Sequence, residues 1–180
     1  MNYLKLYKNT VADGPGVRVS LYVSGCRNHC PGCHNPDSWD FSSGSEMTVS
    51  VVNELLESMD KTWIAGLTIC GGEPMEPENQ EFLVNLVKLV HTKFPTKTIW
   101  CYTGYEFEDL LEGGRKHTEF TNDLLSHIDV AVVGRFILEK RNITDGNRWR
   151  GSTNQRVIDV QASLNSGKTV LLAEIPNNEI

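Results

Sequence analysis

No run of apolar residues in this 180-residue chain is long enough to cross a bilayer. Residues 1–15 interleave Lys5, Lys8, Asn9 and Asp13 with their apolar positions, so a signal-peptide core is missing as well. A soluble cytoplasmic protein without membrane contact is the expectation. Positive charge is scarce: 17 Lys and Arg stand against 23 Asp and Glu, a net charge of −6. That balance offers phosphate backbones no general attraction, and nucleic acid is not an expected partner. Internal repeats and low-complexity linkers are absent. The five cysteines are an odd number. Without an export signal, that count points to reduced thiols or metal ligands and away from a disulfide framework. A chain of this length buries roughly 70% of its unfolded surface as one domain, so metal is not needed merely to hold it together.

What is present is a regular rhythm of strand and helix patterns. Residues 17–23 alternate as a strand does and deliver the chain into a cysteine-rich loop. Residues 48–60 carry Val51, Val52, Leu55, Leu56 and Met59 as a helical stripe, with Thr48 or Ser50 as the cap. Residues 67–70 form a short apolar strand before Gly71-Gly72-Glu73-Pro74. A second amphipathic helix runs from Pro77 to near Phe94-Pro95, and a strand follows at 98–101. Helical patterns recur at 107–111 and 119–127, with a loop at 112–115 between them and an apolar strand at 128–133 after them. Such alternation predicts parallel βα units with ligand sites at the C-terminal strand ends. A full eight-unit barrel needs about 250 residues, so the expected fold is α/β: a partial (β/α) barrel, an open, curved, mostly parallel sheet with flanking helices. After Ser163 the pattern weakens, and residues 177–179 read as a loose end.

Three cysteines, Cys26, Cys30 and Cys33, fall within eight residues of a loop that also holds Pro31 and Gly32. Three thiolates on a four-iron cube leave one iron free to bind a small molecule and pass it an electron. Structural zinc is a rival, with His29 or His34 as fourth ligand, although closed zinc sites normally use two separated ligand pairs. Cys30-Pro31-Gly32-Cys33-His34 also matches the c-type haem pattern, but that reading implies export and leaves Cys26 unexplained. Gly71-Gly72-Glu73-Pro74 follows a strand directly. Its glycines would let a ligand approach the backbone, and its carboxylate can take a cationic amine; read alone, it is equally a turn. Asp13-Gly14-Pro15-Gly16 alone is a turn too. Ser166-Gly167-Lys168-Thr169 has Ala162 where a phosphate loop needs its leading glycine, which excludes that loop. Cys70 and Cys101 read as small core residues, and His91, His117 and His127 as structural or solvent-facing. The basic, aromatic stretch 148–156 suits either a solvated loop or a surface for a partner or a carboxylate-bearing ligand.

Taken together, Cys-x3-Cys-x2-Cys and Gly-Gly-Glu-Pro resemble the radical S-adenosylmethionine superfamily. Asp13-Gly14-Pro15-Gly16-Val17-Arg18 close before the cysteine loop narrows the resemblance to the glycyl-radical enzyme activases. The short chain, Tyr102-Thr103-Gly104-Tyr105-Glu106-Phe107-Glu108-Asp109 and Trp149-Arg150-Gly151-Ser152-x-Asn154-Gln155 are similar to the branch acting on anaerobic ribonucleoside-triphosphate reductase. The resemblance covers about residues 1–160. It implies a radical S-adenosylmethionine domain at 1–163 and leaves 164–180 as an extension without a role.

That resemblance further implies an oxidoreductase in which Cys26, Cys30 and Cys33 hold one [4Fe-4S] cluster. Gly71, Gly72 and Glu73 would meet the methionine amine of S-adenosylmethionine, with Gly32, Cys33 and His34 beside the cofactor. No catalytic side chain beyond the cluster ligands is implied. A flavodoxin-like donor would supply the electron. The protein substrate would be the reductase large subunit, one glycine of which loses its Cα hydrogen. The stretch 148–156 and the Asp13 turn would line the opening, and a homodimer or a complex with the reductase dimer is compatible. Two departures stand out: Gly32 replaces the superfamily's aromatic before the third cysteine, and Val133 replaces the usual Asp before Gly134-Arg135-Phe136. Activation of pyruvate formate-lyase and a non-catalytic iron–sulfur or zinc adaptor are the alternatives.

Overall fold

Seven strands form one sheet in a computed structural model that describes residues 1–141 and 149–173. The expected end at 177–179 and Arg148 lie outside those residues. Strands β1 (Asn2–Thr10), β2 (Val17–Val23), β3 (Ser45–Glu46), β4 (Ile64–Gly71), β5 (Thr98–Thr103), β6 (Val130–Val133) and β7 (Arg156–Asp159) lie in the order β3-β1-β2-β4-β5-β6-β7. Pairings β2–β4, β4–β5 and β5–β6 are parallel, while both margins are antiparallel. The expected open, mostly parallel α/β sheet is therefore present.

The parallel strands follow one another across the sheet in chain order. Crossovers between parallel strands are right-handed almost without exception, so all of them fall on the same face. Helices α1 (Val49–Met59), α2 (Pro77–Lys93), α3 (Phe107–Leu110), α4 (Thr121–Leu125) and α5 (Val160–Ser166) supply Leu55, Leu83, Phe107, Leu124 and Val160 to one apolar core against β2, β4, β5 and β6. Thr48, not Ser50, caps α1, its hydroxyl accepting from the Val51 N–H at 3.5 Å. A small second cluster, Trp100, Val130 and Val132, sits on the other, concave face with Trp149 and Leu172 packed against it.

Both antiparallel margins escaped the sequence reading. In β1, register shifts between Tyr3 and Lys5 and between Tyr7 and Thr10 interrupt the two-residue period by which a strand is read. On the opposite margin, α5 crosses residue 163. Beyond it the chain lies along β7, with Asp159 N–H donating to Val170 O and Leu172 N–H to Val157 O, both at 2.9 Å. These are main-chain bonds, and they need no side-chain pattern.

Candidate functional site

Past the end of β2 the chain turns through the cysteine loop, which is pinned to its own return limb. Gly25 N–H donates to Ser38 O at 2.8 Å and Cys26 N–H to Trp39 O at 3.0 Å. His29 adopts a left-handed backbone (φ 45°), a conformation costly for a side-chain-bearing residue, and its ring stacks on Trp39 at 4.6 Å. Arg27 braces the loop from outside. Its backbone N–H and guanidinium both reach the buried Glu76 carboxylate, at 2.9 and 2.7 Å, the guanidinium also binds Glu78, and it lies over the Phe41 ring at 4.4 Å.

Gly71-Gly72-Glu73, at the end of β4, is hydrogen-bonded to the end of β2 and to the start of that same loop. Gly72 N–H donates to Val23 O and Glu73 N–H to Gly25 O, both at 2.8 Å. The glycines are required by the chain itself. Gly71 has φ 107°, and a Cβ on Gly72 would sit 2.5 Å from Gly25 O. Two motifs separated in sequence are thus a single backbone unit.

Cys26, Cys30 and Cys33 line one cavity of about 580 Å³ with Gly32, His34, Gly71, Gly72 and Glu73. These eight residues, singled out in the sequence, therefore line the same cavity. All five cysteines are free thiols. Among the described residues, no three His, Cys, Asp or Glu side chains gather around a point that could hold a single metal ion. The donor set fits a larger iron–sulfur group: three thiols, with the Asn35 N–H donating to Cys33 Sγ at 3.4 Å. Asn35 Nδ2, Trp39 Nε1 and Tyr105 Oη are buried without a partner in the same neighbourhood. Burial raises the Cys26 thiol to about 11, so this sulfur becomes a stable thiolate only with a positive partner.

Glu73 is fully buried, and both its carboxylate oxygens are occupied. Oε1 accepts from Met75 N–H at 3.0 Å and the Thr103 hydroxyl at 2.7 Å; Oε2 accepts from Gly104 N–H at 2.7 Å and Asn28 Nδ2 at 3.0 Å. Burial pushes this carboxyl up to about 7 against the pull of those donors. It joins β4, β5 and the cysteine loop.

The floor of the concave face is polar. Fully buried Arg18 donates to Thr68 Oγ1, Leu67 O, Thr98 O, Thr98 Oγ1 and Pro15 O at 2.7–3.4 Å and lies over Trp100. Burial lowers its pKa to about 10. Thr68 Oγ1 donates to Asp13 O at 2.8 Å, and Tyr22 Oη to the Asp13 carboxylate at 3.1 Å. Asp13 reaches the cavity wall, as do Trp149 and Arg150 from the far margin. Trp149 (φ 72°) packs edge-on against Trp100, and Gln155 holds its loop through Gly151 N–H, Ser152 N–H and Gly134 O. Both Cys70 and Cys101 are buried as expected, but Cys70 faces the cavity and Cys101 the helices. His91 and His127 meet edge-on at 5.3 Å, away from the cavity. Sequence reasoning missed Arg27, Asn28 and Glu76, none of which stands in a readable pattern.

A singly wound, open α/β sheet with three thiols beyond a strand end is the architecture of the radical S-adenosylmethionine class. Residues 12–158 match the 4Fe-4S single cluster domain family. Over 157 residues, 87% of this chain, the sequence is 39% identical to the anaerobic ribonucleoside-triphosphate reductase-activating protein of Enterobacteria phage T4, covering 93% of that protein. It is 40% identical to the protein of the same name from Vibrio cholerae (86% of this chain, 96% of that one) and 33% identical to that of Escherichia coli (87% and 97%). The chain belongs to the family of anaerobic ribonucleoside-triphosphate reductase-activating proteins.

Proposed function

We propose that this protein generates the glycyl radical on the large subunit of an anaerobic ribonucleoside-triphosphate reductase. The observation that carries this reading is the single cavity shared by the three thiols and Gly71-Gly72-Glu73. Cys26, Cys30 and Cys33 would hold one [4Fe-4S] cluster, with S-adenosylmethionine beside it along Gly32, His34, Gly71, Gly72 and Glu73. When bound, these groups and an electron from a low-potential, flavodoxin-like donor would supply the 5'-deoxyadenosyl radical chemistry that removes the glycine Cα hydrogen, with methionine and 5'-deoxyadenosine as products.

The chain's own residues place and enclose the reactants. The turn after β4 and the cysteine loop, locked together by Gly72 N–H and Glu73 N–H, keep ligand thiols and cofactor cradle in one rigid frame. Among the described residues no α-helix covers the concave face, which leaves room for an extended protein segment to reach the cavity. Trp149, Arg150 and Asp13 line that approach, where a seated segment would exclude water. We place the protein in the cytoplasm with the reductase, acting as a homodimer or in a complex with the reductase dimer.

The test is 5'-deoxyadenosine release and a glycyl-radical electron paramagnetic resonance signal on purified reductase large subunit. The activase is reconstituted with iron and reduced under anaerobic conditions, and Cys30→Ala serves as control. Both signals, lost in the control, are expected. Neither signal despite four bound irons and bound S-adenosylmethionine overturns the reading. Unchanged partner activation in Trp149→Ala would remove Trp149 from the approach.

A further inference from the structure

Asn28 is the one cysteine-loop side chain tied to the end of β5 region through Glu73, and the chemistry of that contact sets its direction. Glu73 Oε2 already accepts from Gly104 N–H, and the amide nitrogen of Asn28, not its oxygen, is the end that faces it, at 3.0 Å. Its carbonyl oxygen is then turned away from the carboxylate. Among the described residues nothing donates to that oxygen, and Asn28 itself lines the cavity between Cys26 and Cys30. Turning the amide over would set its oxygen against Glu73 Oε2 in place of a donor, and the loop carrying it is closely packed. Gly104 packs so closely that a Cβ there would stand 2.4 Å from Asn28 Nδ2, and the backbone O of Asn28 is held by Arg135 at 2.6 Å.

Glu73, by contrast, has little capacity left for a ligand. Four donors from its own chain occupy its two oxygens, which is about the full complement of a carboxylate. A cationic amine in this cavity needs a further acceptor, and the oriented Asn28 carbonyl is such an acceptor.

We infer that Asn28 is a further S-adenosylmethionine-binding residue, whose side-chain carbonyl accepts a hydrogen bond from the α-ammonium while Glu73 holds the amide in place. The inference rests on the proposed cofactor reading and assigns Glu73 a positioning share of the amine contact. No bond is made or broken in this step.

The experiment measures Kd by equilibrium dialysis on iron-loaded protein, unreduced, so that no turnover is needed. The probes are S-adenosylmethionine and its analogue with hydrogen in place of the α-ammonium. The proteins are wild type and Asn28→Ala, both checked for equal iron content; if Asn28→Ala loses iron, Asn28→Leu fills the same space against Gly104. The expected result is about tenfold weaker binding of S-adenosylmethionine by the variant, the equivalent of one charge-assisted hydrogen bond at about 1.4 kcal/mol, with the analogue's Kd unchanged. Equal S-adenosylmethionine affinity in variant and wild type overturns the inference. An equal fall for both probes also overturns it, because Asn28 then only shapes the loop. Wild type that binds neither probe while carrying four irons sinks the cofactor reading itself, and this inference with it.

Discussion

The two faces of the same four parallel strands carry opposite chemistry. Toward the helices, β2, β4, β5 and β6 present Val19, Leu21, Val23, Leu67, Ile69, Ile99, Cys101, Ala131 and Val133, all buried in one apolar core. On the concave face the intervening positions are Arg18, Ser20, Tyr22, Thr68, Cys70, Trp100 and Tyr102, with only Trp100, Val130 and Val132 forming a small cluster. One face supplies stability by area. The other gives up some of that area to keep a polar floor beneath a cavity, and its buried groups must be matched bond for bond.

Four substitutions would break or sharpen this contrast. Arg18→Ala has the largest expected effect, because it opens a cavity and orphans the carbonyl and hydroxyl acceptors of a fully buried guanidinium. A loss of about 4 kcal/mol is expected, seen as a fall of roughly 10 °C in the melting temperature of metal-free protein. On the other face, Leu21→Ala should cost about 3 kcal/mol by urea unfolding and leave the iron content of the reconstituted protein unchanged. A matched loss of iron there would show that the two faces are not separable.

Glu73→Gln comes next, at about 2 kcal/mol, since an amide nitrogen would face donors where a carboxylate oxygen accepted. This site also sets a pH dependence. Burial raises the Glu73 carboxyl from 4.5 to about 7, so the folded state keeps a proton that the unfolded chain releases. The stability it contributes is complete below about 4.5 and declines as pH rises to about 7. Thermal unfolding of the metal-free protein from pH 4.5 to 8 should show that decline, and Glu73→Gln should remove it. Smallest is Cys101→Ala, which faces the helices: about 1 kcal/mol, with iron content intact. Iron loss in that variant would contradict its placement in the core.

The residues proposed to carry chemistry were legible because such chemistry constrains local spacing. The spacing of Cys26, Cys30 and Cys33 and the Gly-Gly-Glu-Pro turn are short-range patterns, and both motifs reach the same cavity. The central strands were legible for a related reason: β2 keeps its two-residue alternation throughout. Where that period fails, as at the shifts in β1, or where pairing is purely main-chain, as at residues 170–172, the strand left no side-chain signal.

The sequence by itself determined the βα rhythm, the strand-end position of the thiols and the family. The first two follow from periodicity and spacing along the chain, the family from the resemblance of its motifs. Only the tertiary structure decided that Glu73 is occupied by Asn28, Thr103, Met75 and Gly104, that Arg18 is buried without a carboxylate hydrogen-bonded to it, and that Cys70 faces the cavity while Cys101 does not. The reason is separation. Asn28 and Glu73 stand 45 positions apart and Arg18 and Thr98 stand 80 apart, and no local pattern encodes which distant polar groups will satisfy one another once water is excluded.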